Sequence, residues 1–99
     1  MLVAEAADSS LLGMASMSYN LSMRCGGEYC QLEELIVAPS ARGQNIGGLL
    51  MLAFLETARS RGCHECGVYL VETTGHNKPF YEKYGFQTVG DEMRQSLVL

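Results

Sequence analysis

Seven consecutive residues, Arg42-Gly43-Gln44-Asn45-Ile46-Gly47-Gly48, have the composition of an anion-holding turn. They lie between a β-type run at 32–37 and an apolar run of helical spacing at 46–58. The first N–H groups of a helix have no intrahelical partner, and with the helix dipole they offer partial positive charge to an anion. Glycine lets that backbone come close to a ligand. A plain tight connection is the alternative reading, and a second motif bears on the choice: Asn77-Lys78-Pro79-Phe80-Tyr81-Glu82-Lys83-Tyr84-Gly85-Phe86, about one helix and one strand further on. A third group is made of cysteines. Cys25 and Cys30 have four residues between them and Cys63 and Cys66 two, which approaches the spacing of a zinc site. Reduced thiols acting as small apolar residues are the alternative there.

Together, the glycine turn and the N-x-x-F-Y-E-K-x-G-F segment resemble the GNAT superfamily of acetyl-CoA-dependent N-acetyltransferases, over about residues 32–89. In that family the turn reads R/Q-x-x-G-x-G/A and its amides surround the CoA pyrophosphate. Arg42, Ile46 and Gly47 match, and Asn45 stands where the first glycine is expected. Asparagine is the non-glycine residue that best tolerates a left-handed backbone. The resemblance implies that Arg42, Gly43, Gln44, Asn45, Ile46, Gly47 and Gly48 hold the cosubstrate's phosphates. It also implies that backbone N–H groups near Leu35, Ile36 and Val37 stabilise the oxyanion, and that Asn77 bonds the pantetheine arm. Acetyl transfer to an amine further needs a base for the ammonium and a proton for the departing thiolate. Leu32-Glu33-Glu34-Leu35-Ile36-Val37 is similar to the L-E-D-x-x-V segment of polyamine-type members, which makes Glu33 the expected base with Glu34 beside it. Strand alternation sends adjacent side chains to opposite faces, so at most one of the two is expected in the cleft. Tyr81 matches the family's proton donor to the CoA sulfur, and a phenol with a pKa near 10 is protonated at neutral pH. The structural alternatives are two solvated carboxylates, a tyrosine packed with Phe80 and Phe86, and an N-cap-like Asn77 two residues before Pro79. Tyr84 is expected to pack.

These residues need a scaffold, and the pattern gives alternating elements. Strands are predicted at 2–6 and 11–17 around the turn Asp8-Ser9-Ser10, the second extendable to 24, and a third at 29–37 closed by Pro39. A helix is predicted at 46–60, with Ile46, Leu49, Leu50, Ala53 and Phe54 inward and Gly62 as its stop. A buried strand at 67–72, a short helix at 79–84 and a closing hairpin of 87–89 with 93–98 complete the set. The expected fold is α/β of the α+β type: a mixed, mostly antiparallel sheet around a parallel strand-helix-strand crossover, in one domain spanning 1–99. Relative to the family, the opening strand and the one or two helices after it are not found. A second subunit is expected to cover the sheet face they would cover, because an exposed apolar face of several hundred square ångströms is unusual for a monomer.

Composition agrees. With 99 residues, 47% apolar and 18% charged, one core is feasible and two are not. A net charge of −4, with seven basic residues in no basic run, argues against a nucleic-acid surface. The longest apolar stretch is too short to cross a bilayer and no secretory leader is evident, so a cytoplasmic location is expected. The partners read from the sequence are acetyl-CoA, a small amine and a second copy of the chain, with no metal, nucleic acid or membrane. The acceptor amine is left open. Two other functions fit the same residues: a CoA-binding module without turnover and a small metal-stabilised interaction domain.

Overall fold

The computed structural model describes residues 1–98. Three antiparallel strands, a short one and two long ones, open the chain: β1 (Leu2–Glu5), β2 (Leu11–Ser22) and β3 (Gly27–Val37). The β1–β2 turn is built by Asp8, whose Oδ1 accepts from the Ser10 N–H at 3.0 Å and the Ser10 hydroxyl at 2.7 Å. Those two bonds hold the Asp8 carboxyl below its ordinary range. After β3 the chain passes through a short 3-10 turn, Pro39–Ala41, into α1 (Ile46–Arg61), then β4 (Glu65–Val68), a second 3-10 segment, Glu72–Asn77, and α2 (Lys78–Lys83). The sheet order is β1-β2-β3-β4, antiparallel except for the parallel pair β3/β4 that α1 connects. This is the mixed α+β architecture expected, with β2 running to Ser22 as the extended reading required.

Three expectations are corrected. The fourth strand lies at Glu65–Val68 rather than 67–72. Gly62, at φ 84, ends α1, and the His64 N–H already bonds the Glu28 carbonyl at 2.8 Å, so parallel pairing starts at Glu65. It ends at Leu32/Val68, where β3 bulges. Second, the closing hairpin is not formed: residues 86–98 take no strand conformation, and Val89, Met93 and Leu97 are 96%, 93% and 89% exposed. A two-stranded ribbon is marginal without a face to bury, and the four-residue β4 gives it little edge on which to build. Third, Leu49 and Ala53 face outward, and Met51 and Ala58 join Ile46, Leu50 and Phe54 on the buried side of α1. The buried line 46-50-54-58 advances four residues at a time, which keeps one stripe on the sheet.

That stripe meets Ala15, Cys30 and Leu32, and the largest fully buried side chains are Phe54, Met51 and Cys30. Gly13 sets the approach of α1 to β2. A Cβ there would stand 2.7 Å from the Ile36 carbonyl oxygen, 3.1 Å from Leu50 Cδ1 and 3.2 Å from Ile46 Cγ2. The opposite face of the sheet, away from α1, is open among the described residues, with Val3 and Ile36 about half exposed. Gly13→Ala is expected to cost about 1–3 kcal/mol through overpacking against backbone. Chemical denaturation checks this, and an unchanged midpoint would mean that α1 does not sit this close.

Candidate active site

The glycine turn becomes a concave helix start. Arg42 is extended, Gly43 has φ 85, and Asn45 enters α1 in the left-handed region at φ 58, ψ 31. Asn45 thus adopts the backbone for which a glycine would be chosen, and its side chain makes no cap bond. The carboxamide folds over Gly48 instead. A Cβ on Gly48 would run into Asn45 Oδ1 and would stand 2.5 Å from the Tyr84 hydroxyl, so any larger residue there must displace both side-chain ends. A cavity of about 210 Å³ opens here, lined by Val37, Arg42, Gly43, Asn45, Gly47 and Phe80 among others. Its volume and its unpartnered helix-start amides suit a phosphate group. Arg42 and Gln44 are exposed at its margin, and Gln44 does not line it. A larger cavity, about 300 Å³, lies along β4 and the chain after α2; Cys66, Tyr84 and Phe86 line it, and none of the residues expected to act in catalysis or to hold the cosubstrate does.

The two carboxylates differ from expectation in a way that the backbone explains. In the β2/β3 ladder Ser16 pairs with Glu34 and Met17 with Leu32, which leaves Glu33 as an extra residue in β3. Such a bulge puts two consecutive side chains on one face. Glu33 and Glu34 both lie on the open face, where Glu33 Oε1 accepts from the Ser18 hydroxyl at 2.6 Å and Glu34 Oε1 from the Ser16 hydroxyl at 3.2 Å. The expected opposite orientation of the two does not hold, because alternation is interrupted between them. The parallel ladder stops at the same place: past Leu32/Val68 no strand pairs with residues 33–37 on the β4 side. Leu35, Ile36 and Val37 therefore lie on a stretch of β3 that has no strand partner on the β4 side among the described residues.

Tyr81 is 9% exposed and packs edge-on against Phe80 at 5.2 Å and Phe86 at 5.9 Å between ring centroids. Burial pushes its phenol above the ordinary value, which keeps it protonated. Its hydroxyl makes no hydrogen bond to a described residue, yet it is not sealed off without a partner. Packing and a free proton donor are thus both present. Asn77 precedes α2 and its exposed side chain makes no cap bond there. Phe80 reaches the glycine turn, where a Cβ on Gly47 would be 3.7 Å from its ring, so α2 sits over the start of α1. The Ser16 and Ser18 pairings were missed in the sequence, although the run Met14-Ala15-Ser16-Met17-Ser18 already sets both serines on one strand face.

The cysteines do not converge on a metal. Cys30 and Cys66 are register partners and all four thiols are free. Among the described residues no three His, Cys, Asp or Glu side chains are placed to hold an ion. Burial, with the nearby Cys63 and Cys66, pushes the Cys30 thiol up to about 11, the behaviour of a packed, unreactive thiol.

Comparison with known proteins gives one answer. The sequence model of the acetyltransferase (GNAT) domain matches residues 1–88. The glucosamine 6-phosphate N-acetyltransferase of Trypanosoma brucei brucei is 32% identical over 88 residues, which are 88% of this chain and 58% of that protein. The streptothricin acetyltransferase of Streptomyces lavendulae is 35% identical over 91 residues, 89% of this chain and 44% of that one. A solved acetyltransferase structure from Trypanosoma brucei superposes with a TM-score of 0.75 at 32% identity, over 92% of this chain and 63% of that chain. The chain spans about half the length of the two curated relatives.

The turn geometry is open to test by stability. Asn45→Gly keeps the left-handed entry to α1 and is expected to change stability by less than about 1 kcal/mol. Asn45→Val places a β-branched residue at a positive φ and should cost about 1–3 kcal/mol. Equal urea midpoints for the two variants would rule out the left-handed assignment.

Proposed function

The chain belongs to the GNAT acetyltransferases, and from that membership we propose that it transfers acetyl from acetyl-CoA to a primary amine of a small molecule by direct attack in a ternary complex. One observation carries the proposal: the stretch of β3 that is unpaired on the β4 side begins at the bulged Glu33 and ends at Val37, which lines the cavity of about 210 Å³ at the start of α1. A bound acetyl-CoA supplies the acetyl group as an activated thioester. The chain's own residues supply the rest. The first amides of α1, with Arg42, take phosphate charge, and Asn45, Gly47 and Gly48 let it approach. Backbone groups of Leu35, Ile36 and Val37 hold an extended arm as an added strand would be held, and an N–H among them faces developing negative charge. Asn77 offers its carboxamide to the same arm. Glu33 accepts a proton from the acceptor's ammonium, directly or through water, and Tyr81 returns a proton at its hydroxyl.

The small-molecule acceptor is supported by the two relatives, whose names give glucosamine 6-phosphate and streptothricin as what they acetylate. The open sheet face beside Glu33 and Glu34, with half-exposed Val3 and Ile36, is where acceptor and a second subunit of a homodimer belong in this reading.

Titration calorimetry with acetyl-CoA, desulfo-CoA and dephospho-CoA tests the cosubstrate site. Micromolar affinity lost in Gly47→Phe, which fills the cavity at the start of α1, is the expected result. No binding by a folded sample would overturn the proposal. Tyr81→Phe is expected to lower kcat by about 10²-fold with little change in acetyl-CoA affinity. Since the phenol lies above its usual value near 10, its loss of a proton should limit the rate only above pH 10. A Tyr81-dependent alkaline limb at pH 8 would remove it from the proton-donor role.

A further inference from the structure

We infer that Ser18 is the positioning residue of the Glu33 base, an inference that rests on the acetyltransferase reading above. A glutamate on an exposed strand face has three rotatable bonds and no reason to hold one direction. The bulge supplies one. Without it Glu33 would follow Leu32 in register and stand opposite Ser16, and Glu34 would turn toward the core beside Ala15. The extra residue moves Glu34 opposite Ser16 and leaves Glu33 with no register partner. Glu33 is then taken up diagonally by Ser18, whose own register partner is Gln31.

The two serine–glutamate pairs are not equivalent. The Ser18 hydroxyl donates to Glu33 Oε1 at 2.6 Å, the short distance of a charge-assisted bond, whereas Ser16 reaches Glu34 Oε1 at 3.2 Å. Holding Oε1 from the β2 side leaves Oε2 as the oxygen that accepts a proton. Ser18 therefore fixes which oxygen works and where it stands, and it touches no reacting atom itself.

The test uses four variants, with thiol release from acetyl-CoA measured on glucosamine 6-phosphate and spermidine as acceptors. Ser18→Ala is expected to lower kcat about tenfold, the scale of one hydrogen bond to a charged group. The KM for acetyl-CoA and the thermal midpoint should be unchanged, and Ser18→Thr, which keeps the hydroxyl, should regain most of the rate. Glu33→Gln separates the two levels of the argument. If it keeps the parental rate, the base assignment itself fails. If it is inactive while Ser18→Ala equals the parent, only the positioning role is overturned. A measurement free of turnover stands beside these: Ser18→Ala should move the Glu33 Cδ carbon resonance, and Ser16→Ala that of Glu34. A Glu33 resonance unmoved by Ser18→Ala overturns the inference whatever the acceptor.

Discussion

One extra residue in β3 is the constraint on which the candidate site depends. At Glu33 the pairing with β2 slips by one, and one residue earlier the pairing with β4 ends. A regular strand would have faced a single one of the two carboxylates outward. The bulged strand keeps its β2 edge, gives up its β4 edge over residues 33–37, and presents two carboxylates together. The local cost of a broken ladder is met by the twelve- and eleven-residue strands on either side of the interruption.

The other half of the site is fixed by small residues under compression. Gly13 lets α1 settle on β2, and Gly48 accepts the folded carboxamide of Asn45 on one side and the Tyr84 hydroxyl on the other. Because Phe80 and Tyr84 both project from the α2 region onto the start of α1, the phosphate turn and the helix carrying Tyr81 are held by one packed contact. The bulge and the turn are joined through Val37, which ends β3 and lines the cavity at the start of α1.

Much of this was legible in the sequence, for identifiable reasons. The glycine turn, the helix that follows it and the short proline-led helix announce themselves through residues with strong local preferences, Gly, Asn and Pro. Asn45 was read as a residue able to stand in for glycine, and its φ of 58 agrees. The bulge was not legible, because it is a relation between two strands: nothing in Leu32-Glu33-Glu34-Leu35 says which residue loses its partner. The same reason explains the fourth strand, whose start is set by the His64 to Glu28 bond and whose end by the bulge across from it. The missing hairpin marks the opposite failure, since residues 93–98 have strand character and no edge that makes use of it. The near-zinc spacing of the cysteines gives the reach of four thiols and says nothing of the direction in which each points.

The parallel pair beside the unpaired stretch of β3 has a consequence for how a long, narrow ligand enters. β4 is held to β3 by a ladder of four residues, Glu65–Val68, at the edge of the sheet. Pairing on β3's other edge runs from Gly27 to Val37 with a single interruption at Glu33. Local opening follows short cooperative units, and a four-residue edge ladder is such a unit. Fraying at β4 leaves the β2/β3 ladder in place, so a ligand held along β3 would meet one stiff jaw, the β2/β3 pair, and one compliant one. The stiff jaw is the one that carries Ser18 and Glu33.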